Sequence, residues 1–124
     1  MEIDARNAPA LYNLGNAYYM VNRFEEAVKV YLKALEINES SAECHFNLAS
    51  AYNDIGDHQR ALQHYLRSIE LDSGNVDAYI CLGGVYENMK VAPEKAERYY
   101  RLALEKEPGN PRALEALKKL KKKQ

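Results

Sequence analysis

Leu14-Gly15-Asn16-Ala17-Tyr18 returns as Leu48-Ala49-Ser50-Ala51-Tyr52 and again as Leu82-Gly83-Gly84-Val85-Tyr86, each tyrosine thirty-four residues after the last. Working outward, Ala27 and Ala61 lie nine residues beyond the tyrosine, followed by Tyr31 and Tyr65, then Ala34 and Ser68. In the third copy the same series comes one residue late, as Ala96, Tyr100 and Ala103, which places a single insertion between Tyr86 and Ala96, around Lys90-Val91-Ala92. One structural unit is therefore written three times, and an array of such units offers a surface for other proteins.

The spacing inside a copy is helical. Leu11, Leu14, Gly15 and Tyr18 follow the i, i+3, i+4, i+7 rule that gathers side chains on one stripe, predicting a first helix over roughly 8–21. A second stripe through Phe24, Ala27, Val28, Tyr31, Ala34 and Leu35 predicts a helix over roughly 24–38. The break at Asn22-Arg23, and at Gly56-Asp57 in the next copy, is short enough to make the two helices antiparallel. Small residues at Gly15, Ala27 and Ala34 let the axes approach while Tyr18 and Tyr31 fill the space beside them. Helix starts are expected at Ser40 with Glu43, at Asn22 with Glu25, and at Asn110-Pro111, where cap-like spacings stand.

These residues resemble the tetratricopeptide repeat pattern. Counted from Ala8, Ala42 and Val76, the small and aromatic positions of that family are matched nearly throughout residues 8–110. The resemblance implies an all-α, right-handed solenoid of antiparallel helix pairs with about seven helices. The expected organisation is the end of a preceding repeat at 1–7, repeats at 8–41, 42–75 and 76–110, and a capping helix with a basic tail at 111–124. Ala113, Leu114, Leu117 and Leu120 make that last helix amphipathic, while Lys118 and Lys121 stand where a further repeat would need a small residue and a tyrosine. The alignment of residues 2–7 with the ends of the earlier copies predicts a fragment of a longer array.

Composition narrows the function. With 47% apolar and 28% charged residues the chain can build a core, and a net charge of −1 lacks the basic excess that nucleic-acid binding needs. No segment approaches the ~18 consecutive apolar residues of a membrane span, so no membrane partner is expected and the location predicted is cytoplasmic. Cys44 and Cys81, without CxxC spacing, read as reduced thiols. There is no nucleophile with a base, no metal-ligand set and no phosphate cradle, so neither catalysis nor a cofactor is expected. His45 occupies a packing position, and His58 and His64, six apart, do not share a helical face.

In tetratricopeptide arrays a second stripe of each first helix lines a concave groove for peptides. The resemblance puts Tyr12, Asn13, Asn16 and Tyr19 there from copy one; Phe46, Asn47, Ser50, Asn53 and Asp54 from copy two; and Asp77, Ile80, Gly84 and Glu87 from copy three. Aromatic groups interleaved with amides suit an extended peptide backbone. The acidic residues predict a neutral or basic peptide, with Arg112, Lys119 and Lys122 making the cap end basic. Three repeats plus a final helix are also similar to the co-chaperone modules that clamp a Glu-Glu-Val-Asp tail. The positions that would carry the clamp are Tyr12, Asn16, Asn47, Asp77 and Cys81, which keep both asparagines and lack all three cations, so a heat-shock tail is not the expected ligand. Two alternatives stay open. One is the substrate-selecting array of a larger enzyme similar to the protein O-linked N-acetylglucosamine transferase, whose asparagine ladder Asn13 and Asn47 would continue and Cys81 would break. The other is a structural scaffold that self-associates through an uncovered N-terminal face around Leu11, Tyr18 and Phe24.

Overall fold

The computed structural model describes residues 7–90 and 92–123. Seven helices make up the described residues: α1 Ala8–Met20, α2 Phe24–Ile37, α3 Ala42–Ile55, α4 His58–Leu71, α5 Val76–Met89, α6 Pro93–Lys106 and α7 Pro111–Lys122. They form the all-α solenoid of helix pairs that the resemblance implies. The chain divides into two compact units, Met1–Leu71 with α1 to α4 and Asp72–Gln124 with α5 to α7. The expected end of a preceding repeat falls almost wholly on residues outside those described, as does the inserted Val91.

In the first unit α1 packs on α2, α2 on α3 and α3 on α4. The core is built from Leu11, Ala27, Val28, Tyr31, Ala34, Leu35, Cys44, Leu48 and Ala51. Large meets small in it: a Cβ added to Gly15 would sit 2.5 Å from Cε1 of Tyr31, so the ring occupies the space a side chain would need. Ser68 stands where the first copy has Ala34 and is fully buried, and its hydroxyl donates to the Ala42 carbonyl at 3.0 Å, so the extra oxygen is satisfied. In the second unit α5 pairs with α6, and α7 lies against both. Gly83 meets Tyr100 as Gly15 meets Tyr31, with Cε1 2.4 Å from the missing Cβ. Tyr86 stacks on Tyr99 with centroids 5.6 Å apart and planes 8° from parallel, beneath the Lys95 ammonium.

The helix boundaries correct two cap expectations. Asn7, Ser41, Asn75 and Asn110 accept from the amides of Ala10, Cys44, Ala78 and Ala113, and Asp57 does the same for Arg60. Ser41 rather than Ser40 therefore caps α3, since Ser41 is the last residue in extended conformation before the helix. Asn22 does not cap α2. Its φ of 65° puts it in the left-handed region, in the place taken by Gly56 at 100° and Lys90 at 57° in the later copies, where the chain reverses between paired helices. The stripe of α7 is also narrower than expected: Ala113 and Leu120 are buried, but Leu114 is 49% exposed.

Candidate functional site

Each unit carries part of the predicted surface. In the first, Tyr12, Asn16 and Asn47 are hydrogen-bonded together, Tyr19 is bonded to Asp54, Phe46 and Ser50 both meet Tyr65, and Asn53 is bonded to His58, while Asn13 is exposed. Asn47 Nδ2 donates to the Tyr12 hydroxyl at 2.8 Å and to Asn16 Oδ1 at 3.0 Å. Asn16 Oδ1 also accepts from the Tyr31 hydroxyl. Both Asn47 donors and the Asn16 carbonyl are thus committed internally, which leaves Asn47 Oδ1 as the acceptor and Asn16 Nδ2 as the donor that these bonds do not use. Beside them Asn16, Tyr19, Met20, Tyr31, Phe46, Asn47 and Ser50 line a depression of 360 Å³, and Met20 at its edge is 81% exposed. Tyr19 donates to Asp54 Oδ2 at 2.6 Å, and His58 Nδ1 donates to Asn53 Oδ1 at 3.0 Å.

In the second unit Asp77, Ile80, Gly84 and Glu87 lie along α5. Ile80 is 8% exposed, so it floors the surface more than it reaches from it. With Glu87, Arg112, Glu115, Ala116 and Lys119 it lines a 440 Å³ depression between α5 and α7. Asp77 pairs with Arg112 at 2.9 Å, so one of the expected basic residues at the cap end is spent on one of the expected acidic ones. Glu87 Oε2 accepts from the Tyr100 hydroxyl at 2.8 Å, while Oε1 is buried without a partner.

Sequence reasoning placed Tyr31, Tyr65 and Tyr100 in the core and missed what their hydroxyls do. Each reaches past its small neighbour to a residue of the proposed surface: Tyr31 to Asn16, Tyr65 to Ser50 at 2.8 Å, and Tyr100 to Glu87. Gly84 stands where the earlier copies have Asn16 and Ser50 and offers no partner, which is why the third hydroxyl turns to Glu87 instead. The signal was present: a buried tyrosine in all three copies, where phenylalanine would fill the same space, implies that the hydroxyl is used. Burial and neighbouring phenols push the Tyr31 hydroxyl well above its ordinary range, and burial with the Glu87 carboxylate does the same for Tyr100, so both stay protonated donors.

Neither cysteine is disulfide-bonded. Cys44 is buried, its thiol facing the Tyr31 carbonyl at 3.6 Å, and burial pushes it up to about 12, which makes it inert. Among the described residues no group of three or more His, Cys, Asp or Glu is placed to hold a metal ion, and no helix is long and apolar enough to cross a membrane.

The tetratricopeptide repeat family model matches residues 8–41 and 42–75, more than half of the chain. The chain belongs to the tetratricopeptide repeat family. Among solved structures, this tetratricopeptide repeat protein resembles MamA, with a TM-score of 0.92 and 29% identity over 97% of this chain and 70% of that one. It is similar to the tetratricopeptide domain of Arabidopsis OM64, with a TM-score of 0.90 and 30% identity over 97% and 98% of the two chains. The first such domain of Spaghetti (RPAP3), bound to the HSP90 peptide SRMEEVD, gives 0.88 and 26% over 99% and 97%. No curated protein matches in sequence.

Proposed function

We propose that this tetratricopeptide repeat chain is a non-catalytic interaction module that holds an extended segment of a partner protein on the α1–α3 surface of its first unit, with the α5–α7 depression as a further contact. The observation that carries the reading is the Asn16–Asn47 pair. The Asn16 Nδ2 and Asn47 Oδ1 that its internal bonds do not use complement the carbonyl and amide of a peptide backbone, and the Tyr31 and Tyr12 hydroxyls hold the two amides in place, which lowers the entropy cost of binding. The adjoining depression, walled by Tyr19, Phe46 and Met20, suits one apolar side chain of the segment.

Charge supports a neutral or basic segment here. Glu43 and Asp54 are the only acidic residues of α1 and α3, and neither helix contains lysine or arginine. RPAP3 carries a heat-shock peptide in its neighbouring fold. In this chain Tyr12, Asp77 and Cys81 stand where the resemblance would require cations, so we assign a different class of peptide. A peptide array probed with the wild type and with Asn16→Ala/Asn47→Ala tests this. Binders rich in neutral or basic sequences, lost from the variant and weakened by salt for the basic ones, are expected. Identical binders on both proteins would move the site elsewhere.

A second reading, self-association, is favoured by one comparison between helices. On α3 the positions Cys44, Leu48 and Ala51 are sealed, all at 2% exposure or less, within the core that α2 shares. The same positions on α1 are Ala10, Leu14 and Ala17; the first two are half-buried, Ala17 is exposed, and Val21 beyond them is 64% exposed. That face has the chemistry to receive a helix like α2 from a second copy.

A further inference from the structure

His45 and His64, unrelated by spacing, meet between α3 and α4. Their Nδ1 atoms are 3.0 Å apart and their rings stack with centroids at 5.2 Å, while Tyr52 stacks on His64 at 5.7 Å. His45 is buried at 8% exposure, and its Nε2 lies 3.1 Å from the Glu39 carbonyl oxygen. A carbonyl only accepts, so His45 carries its proton on Nε2. Its Nδ1 is then bare and must accept, which makes His64 the donor through Nδ1–H. Both tautomers follow from one backbone oxygen.

We propose that this pair is a proton-sensitive lock between α3 and α4, closed while at least one of the two rings is neutral and opened when both are protonated. A single proton on either ring keeps the bond: on His64 it sits at Nε2 and leaves Nδ1–H donating, and on His45 it sits at Nδ1, which donates once neutral His64 holds its own proton at Nε2. A second proton, on the remaining ring, sets two N–H groups and two positive rings against each other at 3.0 Å. The Glu39 carbonyl favours a charged His45, but burial outweighs it. Arg67 of α4 acts on His45 as a further positive charge and is itself paired with Glu70 at 2.9 Å. Arg60, over the Tyr52 ring at 5.9 Å, is paired with Asp57 at 2.7 Å. Tyr52 presents a ring that burial keeps neutral.

Burial, opposed at His45 by the Glu39 carbonyl and reinforced by Arg67, holds that ring below its ordinary range; burial and the His45 charge bring His64 to about 4. Because both folded values lie below 6.5, the stabilisation is complete above pH 6.5 and is lost as pH falls from there toward 4. His64 weakens the folding equilibrium by up to about tenfold per pH unit over that window, less where solvent screens its half-buried ring, and His45 adds to the loss in the same direction. The α3 helix carries Phe46, Asn47 and Ser50, and α4 carries Tyr65, which touches Phe46 and Ser50. Opening the lock would therefore disorder the α1–α3 surface. Any effect on partner binding rests on the function proposed above; the lock itself does not.

The other copies supply the control. Leu11 and Val30 occupy the corresponding positions in α1 and α2, packed in the same core, so His45→Leu/His64→Val transplants a pair this fold already uses. Denaturant unfolding at pH 7.5 and 5.0 should show the wild type losing at least tenfold more of its folding equilibrium than the double variant, which retains His58. Parallel losses overturn the proposal. Long-range proton–nitrogen correlation spectra of the wild type do not depend on the variant's folding. They should show His64 as the Nδ1–H and His45 as the Nε2–H tautomer, and on acidification the Asn47 side-chain amide should lose its shift as the rings charge. Two rings titrating near 6.5 without fixed tautomers would also overturn it.

Discussion

Gly83 and Gly84 are adjacent and have opposite reasons to be glycine. A Cβ on Gly83 would enter the Tyr100 ring at 2.4 Å, whereas one on Gly84 meets only the Tyr100 hydroxyl at 3.9 Å, an ordinary contact. Gly83→Ala should cost about 1–3 kcal/mol through overpacking. Gly84→Ala should stabilise by about 0.5–1 kcal/mol, because a mid-helix glycine only adds disorder to the unfolded chain. Urea unfolding of the two variants checks both signs, and a destabilised Gly84→Ala would show that the backbone there needs glycine. The first position was legible in the sequence, since Gly15, Ala49 and Gly83 mark a small-residue register. What Gly84 leaves undone was not legible, because it depends on where a tyrosine hydroxyl from another helix arrives. The His45–His64 contact escaped for the same reason: its partners lie nineteen residues apart on different helices.

At the scale of the helix, the period located every element and the cap pattern misplaced two of them. Ser40 and Ser41 are neighbours, and the spacing Ser40 to Glu43 satisfies the capping pattern. The cap, however, is decided by the residue at which the backbone leaves extended conformation, and that is Ser41, whose hydroxyl accepts from Cys44 at 3.1 Å. Ser41→Ala should lower stability by about 1 kcal/mol while Ser40→Ala, at an exposed site, leaves it nearly unchanged. Thermal melts of the pair decide between the two serines. Asn22 was misread through the same ambiguity, since asparagine is favoured both as a cap and in the left-handed turn it occupies here. The candidate surface divides in a similar way. Which residues α1 and α3 turn toward it follows from helical register, but the commitment of both Asn47 donors and the Asn16 carbonyl depends on the distance between two helices, which no periodicity contains.

For the molecule as a whole, the repeat makes each copy's exposed face comparable with another copy's buried one, and that comparison carries a prediction about assembly. Ala51 is completely buried, while Ala17, its counterpart in α1, is exposed beside half-buried Leu14. If apolar burial drives a second copy onto α1, the contact gains roughly 25 cal/mol for each Å² of apolar surface covered, and a single carboxylate placed at its centre should abolish it. Sedimentation velocity across a hundredfold range of concentration should therefore show a mass that rises for the wild type and stays monomeric for Ala17→Glu, with the helical signal of that variant intact. Ala51→Glu, the same change at the sealed position, should instead unfold the first unit, because its charge has no route to water. A wild type that remains monomeric throughout would remove self-association as a reading and leave the α1 face without a part in assembly. An Ala17→Glu variant that still associates would move the contact to another face. Neither outcome touches the Asn16–Asn47 pair, which joins a different stripe of α1 to α3 and is tested by its own variant, so assembly and peptide binding can fail independently.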